Sequence, residues 1–133
     1  VAPCPKVLSA EIKTQIGRHP VNRKKMAVVR SGGKEALTRF TSLKRGKIGN
    51  VSAALLQVRI LTGRTHQIRV HMSYFGSPVI GDGTYGGNGR IAAPRQMLHA
   101  WKLSFPHPFT REELSFEAPF PADFQEYANK IQE

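Results

Sequence analysis

The residues of this chain most able to do chemistry lie in one stretch, Gly63-Arg64-Thr65-His66-Gln67-Ile68-Arg69-Val70-His71-Met72, followed by a lone carboxylate, Asp82. Arg69 is the most demanding of them. A guanidinium bordering an apolar helix stripe stays charged, and losing the partner of a buried ion pair costs about 3–5 kcal/mol, so Arg69 needs a carboxylate or phosphate against its planar fork. Asp82 is the only acid between Glu35 and Glu112. It is the obvious internal partner, although an aspartate between Gly81 and Gly83 better fits a turn in which the carboxylate bonds its own backbone. His66 and His71 titrate near neutrality and offer acid–base chemistry. Their spacing sends them to different helix faces, which argues against a catalytic pair and denies a metal its i, i+4 ligands.

Elements must hold these groups in place. The apolar run Ala53 to Leu61 reads as a strand that passes through a two-residue turn into a helix, with Thr62 or Gly63 as cap and Gly76 ending it in the left-handed conformation. Ile68, Met72 and Phe75 then form the apolar stripe, Thr65 and Arg69 border it, and His66, Val70 and Ser73 lie opposite. Upstream, the alternation at Leu8, Ala10, Ile12 and Ile16 predicts a half-buried strand. Met26 to Arg30 and Ala36 to Leu43 read as further strands of an antiparallel meander, with turns at Ser31–Lys34 and Lys44–Asn50. Downstream, Gly81 to Gly89 is too glycine-rich for regular structure. Met97 to Phe105 is expected as a central strand covered on both faces, with Trp101 in the core, and Leu114 to Phe116 as its continuation. Phe124, Tyr127, Ala128 and Ile131 behind Asp123 give a closing helix. The class is α+β, a mostly antiparallel mixed sheet with a central helix after the main strand and a C-terminal helix.

With 133 residues the chain is one domain or part of one. The formal charge of +11 points to a polyanion. The basic segments holding Arg18, Arg23, Lys24 and Lys25, and Arg45 and Lys47, are the expected phosphate contacts. Each phosphate neutralised steepens log affinity against log salt by about 0.7–0.9. Tyr74, Phe75 and Tyr85 could stack bases. A single cysteine excludes an internal disulfide framework, and with no long apolar run and no signal-peptide pattern a soluble cytoplasmic protein is expected. The chain opens on Val1 without an initiator methionine, so upstream sequence is expected. RNA or DNA contact is favoured over a basic protein merely kept soluble by its charge.

The run Gly63 to Met72 resembles, without a gap, the signature of the RluA/RluD-type RNA pseudouridine synthases. Arg18-His19-Pro20 with Arg23, Lys25 and Met26 resembles the family's upstream basic element, and Gly81-Asp82-Gly83-Thr84-Tyr85-Gly86 its G-D-x-x-Y-G loop. Leu98-His99-Ala100, His107-Pro108 and Ala118-Pro119 resemble its closing strands. The resemblance implies isomerisation of uridine to pseudouridine in ribosomal or transfer RNA, with no cofactor and no metal, by an aspartate acting on a flipped-out base. It implies that Arg69 pairs with that aspartate and that Leu98 walls the uracil pocket. Arg64, Thr65, His66 and Gln67 would contact RNA or brace the site. The nucleophile's H-R-L-D segment and the tyrosine's K-x-Y-x-A segment do not occur here. The chain is therefore expected to be the C-terminal part of a catalytic domain, inactive alone, monomeric and without membrane contact. A non-catalytic RNA-binding module and a histidine-based RNA-cleaving enzyme are the alternatives.

Overall fold

A computed structural model describes residues 1–133. The elements are β1 (Ser9–Arg18), β2 (Met26–Val29), β3 (Lys34–Ile48), β4 (Val51–Ile60), α1 (Gln67–Phe75), β5 (Lys102–Pro106), β6 (Glu113–Glu117) and α2 (Ala122–Lys130). An antiparallel sheet runs β2-β1-β3-β4, and β5 and β6 form a separate two-stranded hairpin. No helix is long and apolar enough to cross a membrane. The α+β class with antiparallel pairing and two helices agrees with the sequence reading.

The predicted alternation in β1 is present from Ala10 onward, whereas Leu8 falls before the strand and is 64% exposed. Ile12 and Ile16 turn inward beside Ala36, Thr38 and Phe40 of β3, and α1 packs on that face through Val70, His71 and Met72. The sheet is not the simple meander expected. Gln15 and Ile16 pair with β2 on one side and with the start of β3 on the other, so the chain crosses β1 at Gly32 and Gly33. A Cβ on Gly33 would stand 2.6 Å from Val29 Cγ2 and 2.8 Å from the Ile16 carbonyl oxygen, which explains the glycine at the crossing.

Three further expectations are corrected. Lys44 to Ile48 is strand rather than turn, because a bulge between Ser42 and Lys44 lets β3 keep pairing with β4, and Lys47 also bridges to Gln132. Residues 97–101 form no strand, and β5 is exposed along its whole length because only β6 pairs with it. Trp101 is half-buried, with Phe120 at 5.6 Å and the Lys102 ammonium 4.0 Å above its ring. Finally, α1 is shorter and its approach longer than a two-residue turn, because residues 61–66 wrap round the side chain of Gln67. With that start Val70 is buried, not opposite the apolar face, whereas Phe75 is 37% exposed.

Beneath α1 a polar bracket ties helix to sheet. His71, fully buried, sits 2.6 Å from Thr38 Oγ1 through Nδ1 and 2.8 Å from Thr14 Oγ1 through Nε2. It is a satisfied core histidine, out of reach of any RNA, which removes the acid–base pair with His66. Burial pushes its imidazole below the ordinary value, so the folded chain takes up this proton less readily than the unfolded one. The resulting stabilisation is complete above the unfolded value of about 6.5 and is lost as the pH falls through and below it.

Two outcomes are expected in unfolding experiments. Gly33→Ala lowers stability by about 1–3 kcal/mol, since two backbone segments must part to admit one methyl. The melting temperature falls as the pH drops below about 6.5, and His71→Gln makes that fall shallower. A stability unchanged in the first, or a pH slope unchanged in the second, contradicts these assignments.

Candidate active-site wall

Two turns bring the site together. The chain enters α1 through His66, whose φ of 54° is left-handed, a conformation that histidine adopts more readily than most side chains. It leaves α1 at Gly76, φ 96°, where the Gly76 and Ser77 amides donate back to Ser73 and Met72. The segment Val79 to Gly87 then folds back alongside the helix. The Asp82 amide donates to the Val79 carbonyl at 3.1 Å and the Gly87 amide to the Asp82 carbonyl at 2.6 Å. Gly81, φ 83°, lies so close under the Arg95 carbonyl oxygen that a Cβ would collide with it.

This loop delivers Asp82 to Arg69. Arg69 Nε donates to Asp82 Oδ2 at 2.8 Å and Nη2 to Oδ1 at 2.9 Å, the parallel bonds of a carboxylate meeting a guanidinium fork. The aspartate side chain is 1% exposed and the arginine 16%. Asp82 Oδ1 also accepts the amides of Thr84 at 3.2 Å and Tyr85 at 3.3 Å. The two roles weighed for Asp82 are thus filled together, and the anion that Arg69 demands is present within the chain. Burial alone would push the Asp82 carboxyl up, but the Arg69 hydrogen bond and charge and the two amides outweigh it and hold the carboxyl below its ordinary range. The Arg69 guanidinium is held above its ordinary value by the hydrogen bonds it donates to Asp82.

Tyr85 is the residue that sequence reasoning undervalued. Its hydroxyl accepts the Met26 amide at 3.0 Å and meets His66 Nδ1 at 2.8 Å, while the Arg69 guanidinium lies 5.1 Å from its ring centre. The Lys25 ammonium lies 5.7 Å from the same ring, and Ser73 Oγ donates to the Tyr85 carbonyl at 2.8 Å. One phenol therefore joins the basic loop before β2, the start of α1 and the glycine-rich loop. Its place three residues after Asp82 in a glycine-bounded turn was the available signal. His66 is kept below its ordinary value by partial desolvation of its ring against the neighbouring side chains and by the Arg69 charge, partly offset by Asp82.

The other candidates divide. Thr65 and His66 are exposed and Arg64 is half-buried, with its Nε bonded to the Glu35 carbonyl at 2.9 Å. Gln67 does not reach the surface: it is 3% exposed, and its amide is used up by Thr62, Arg64, Leu37 and Thr38. Its side chain ties the start of α1 to β3. Leu98 is half-buried and packs on the cluster of Ile12, Phe40, Met72 and Val79 beneath α1. Arg18, Arg23 and Lys24 are exposed and, with Lys25, lie on the Tyr85 side. Arg45 and Lys47, the second basic segment, lie apart from them. They stand at the far end of β3, where Arg45 donates to the Pro5 carbonyl. No three or more histidine, cysteine or acidic side chains converge as metal ligands.

A family model described as RNA pseudouridylate synthase matches residues 1–74. The chain is 44% identical over 124 residues to a ribosomal large subunit pseudouridine synthase D of Neisseria meningitidis serogroup A, covering 85% of this chain and 32% of that protein. It is 43% identical over 120 residues to an uncharacterized RNA pseudouridine synthase of Bacillus subtilis, covering 90% of this chain and 38% of the relative. The chain thus spans about a third of the length of the curated relatives it matches. Among solved structures, human RNA pseudouridylate synthase domain containing 1 superposes with a TM-score of 0.75 at 33% identity, covering 90% of this chain and 51% of the other. The sequence motifs, the antiparallel architecture and these matches agree, and the chain belongs to the RNA pseudouridylate synthase family, of the RluA/RluD type.

Proposed function

We propose that this chain is the C-terminal part of the catalytic domain of an RNA pseudouridine synthase that isomerises uridine to pseudouridine in ribosomal or transfer RNA. The relatives named for the ribosomal large subunit favour ribosomal RNA as the substrate. A cytoplasmic location goes with that substrate. In the isomerisation the N1–C1′ bond breaks, a C5–C1′ bond forms, the C5 proton leaves and N1 gains a proton. The protein must therefore supply an ionised nucleophile or base at a base taken out of its stack, and phosphate contacts must offset the few kcal/mol that flipping costs.

The observation that carries this reading is the unspent edge of Arg69. Nε and Nη2 are committed to Asp82, whereas Nη1 has no protein partner and the side chain keeps some exposure. A neighbouring arginine lowers an aspartate pKa by about 1–3 units, which keeps a nucleophile ionised. Asp82 is not that nucleophile, since both oxygens are engaged and the group is buried. The acting aspartate belongs to an H-R-L-D segment elsewhere in the whole protein, and support for this comes from the relatives' greater length and from the absence of such a segment among these residues. Leu98 would wall the uracil pocket, Arg64, Thr65 and His66 would meet the RNA near it, and Arg18, Arg23, Lys24 and Lys25 would track the approaching phosphates. Arg45 and Lys47 would reach phosphates only at a separate point.

The test is tritium release from RNA labelled at uridine C5. In the protein encoded by the whole gene, Arg69→Ala is expected to lose about 10²-fold or more in rate, on the scale of removing one charge-stabilising donor, with RNA affinity little changed. The 133-residue chain alone is expected to release none. Full activity in the variant, or turnover by the isolated chain, contradicts the proposal, and a whole protein that binds RNA without turnover identifies the non-catalytic module instead.

A further inference from the structure

Two arginines of this chain make bidentate pairs with aspartates, and they differ in one respect. Arg95 binds Asp123 through Nε at 2.8 Å and Nη2 at 2.9 Å, and directs Nη1 to the Gln96 carbonyl at 2.9 Å and the Leu98 carbonyl at 3.4 Å. Every nitrogen of that arginine serves the fold. Arg69 makes the same fork to Asp82 but leaves Nη1 unspent. Its aspartate is also the more firmly seated, 1% exposed against 37% for Asp123. Backbone bonds to Val79 and Gly87 and the amides of Thr84 and Tyr85 fix Asp82 from four directions. The Tyr85 ring lies against the guanidinium, closing off a further freedom.

From this geometry we infer that Asp82 is a positioning residue for the isomerisation: it grips one edge of the Arg69 guanidinium and so aims the opposite, Nη1 edge at the carboxylate that reacts with uridine. The inference rests on the function proposed above. A buried ion pair stabilises a fold no better than well-packed apolar side chains, so stability alone gives little reason for the pair. Holding a five-donor planar group at one angle is something apolar packing does not do. The glycines on either side of Asp82 allow the backbone to approach closely enough to set that angle, and a displacement of about 1 Å in such a group can cost 10²-fold in rate.

The experiment uses the protein encoded by the whole gene and steady-state tritium release. Asp82→Asn, which leaves the shape but removes the charge and the double fork, is expected to lower kcat by about 10- to 100-fold with KM for RNA unchanged. On an Arg69→Ala background the same change should add nothing further, because Asp82 acts only through Arg69. Asp82→Glu, which keeps the charge but displaces the fork, should recover part of the loss. In the unsubstituted protein, nitrogen-15 spectra should show slow rotation of the Arg69 guanidinium, a readout that does not depend on any variant folding. Wild-type kcat in Asp82→Asn overturns the inference, as does a loss confined to KM, which would mark the free edge as a contact for an RNA phosphate. A loss that multiplies with that of Arg69→Ala, or a freely rotating guanidinium, overturns it as well. If Arg69→Ala itself keeps full activity, the proposed function fails; if it loses activity while Asp82→Asn does not, only the positioning role fails.

Discussion

The fold around α1 is organised by one buried ion pair. Arg69 and Asp82 stand thirteen residues apart, on opposite sides of a helix end and a glycine-rich reversal, and neither tolerates burial without the other. For the carboxylate to reach the guanidinium, α1 must stop at Gly76, the chain must reverse at once, and the backbone at Gly81 must pass beneath Arg95 with no side chain in the way. Satisfying the pair thus dictates the loop. The start and middle of α1 are pinned to the sheet, Gln67 with all its amide bonds internal and His71 between two threonines of β1 and β3. The helix cannot slide or rotate without breaking a charged or polar contact.

This rigidity bears on how the charge of the chain is divided. Most of the +11 sits on exposed lysines and arginines that act over a distance and are screened by salt. Arg69 belongs to a different class. Its charge is matched by Asp82, so it adds little to the long-range attraction of a polyanion, and what it offers is a direction rather than a field. Tyr85 connects the two classes, since its hydroxyl holds the Met26 amide beside the basic loop while its ring lies near both the Lys25 ammonium and the Arg69 guanidinium.

Much of this was legible in the sequence. The need of Arg69 for an anion, the αL stop at Gly76 and the inward face of β1 follow from short-range rules, and the structure contains all three. Asp82 was read as a turn former or as the partner of Arg69, whereas a carboxylate with two oxygens does both. The failures have a common cause in non-local pairing. The β2–β1–β3 crossing, the bulge that prolongs β3 and the isolation of β5 with β6 depend on which strand lies alongside, a fact that periodicity within one strand does not contain. The longer connection from β4 to α1 was hidden for a related reason, since Gln67 looks like a surface residue until its four partners are brought around it.

The most direct test of the central claim is a crystal structure of the protein encoded by the whole gene. The account expects a second carboxylate within hydrogen-bonding distance of Arg69 Nη1 while the Asp82 fork stays at 2.8 and 2.9 Å. An Arg69 that has released Asp82 to pair elsewhere, or one whose Nη1 edge faces open water with no acidic group near it, would contradict the account.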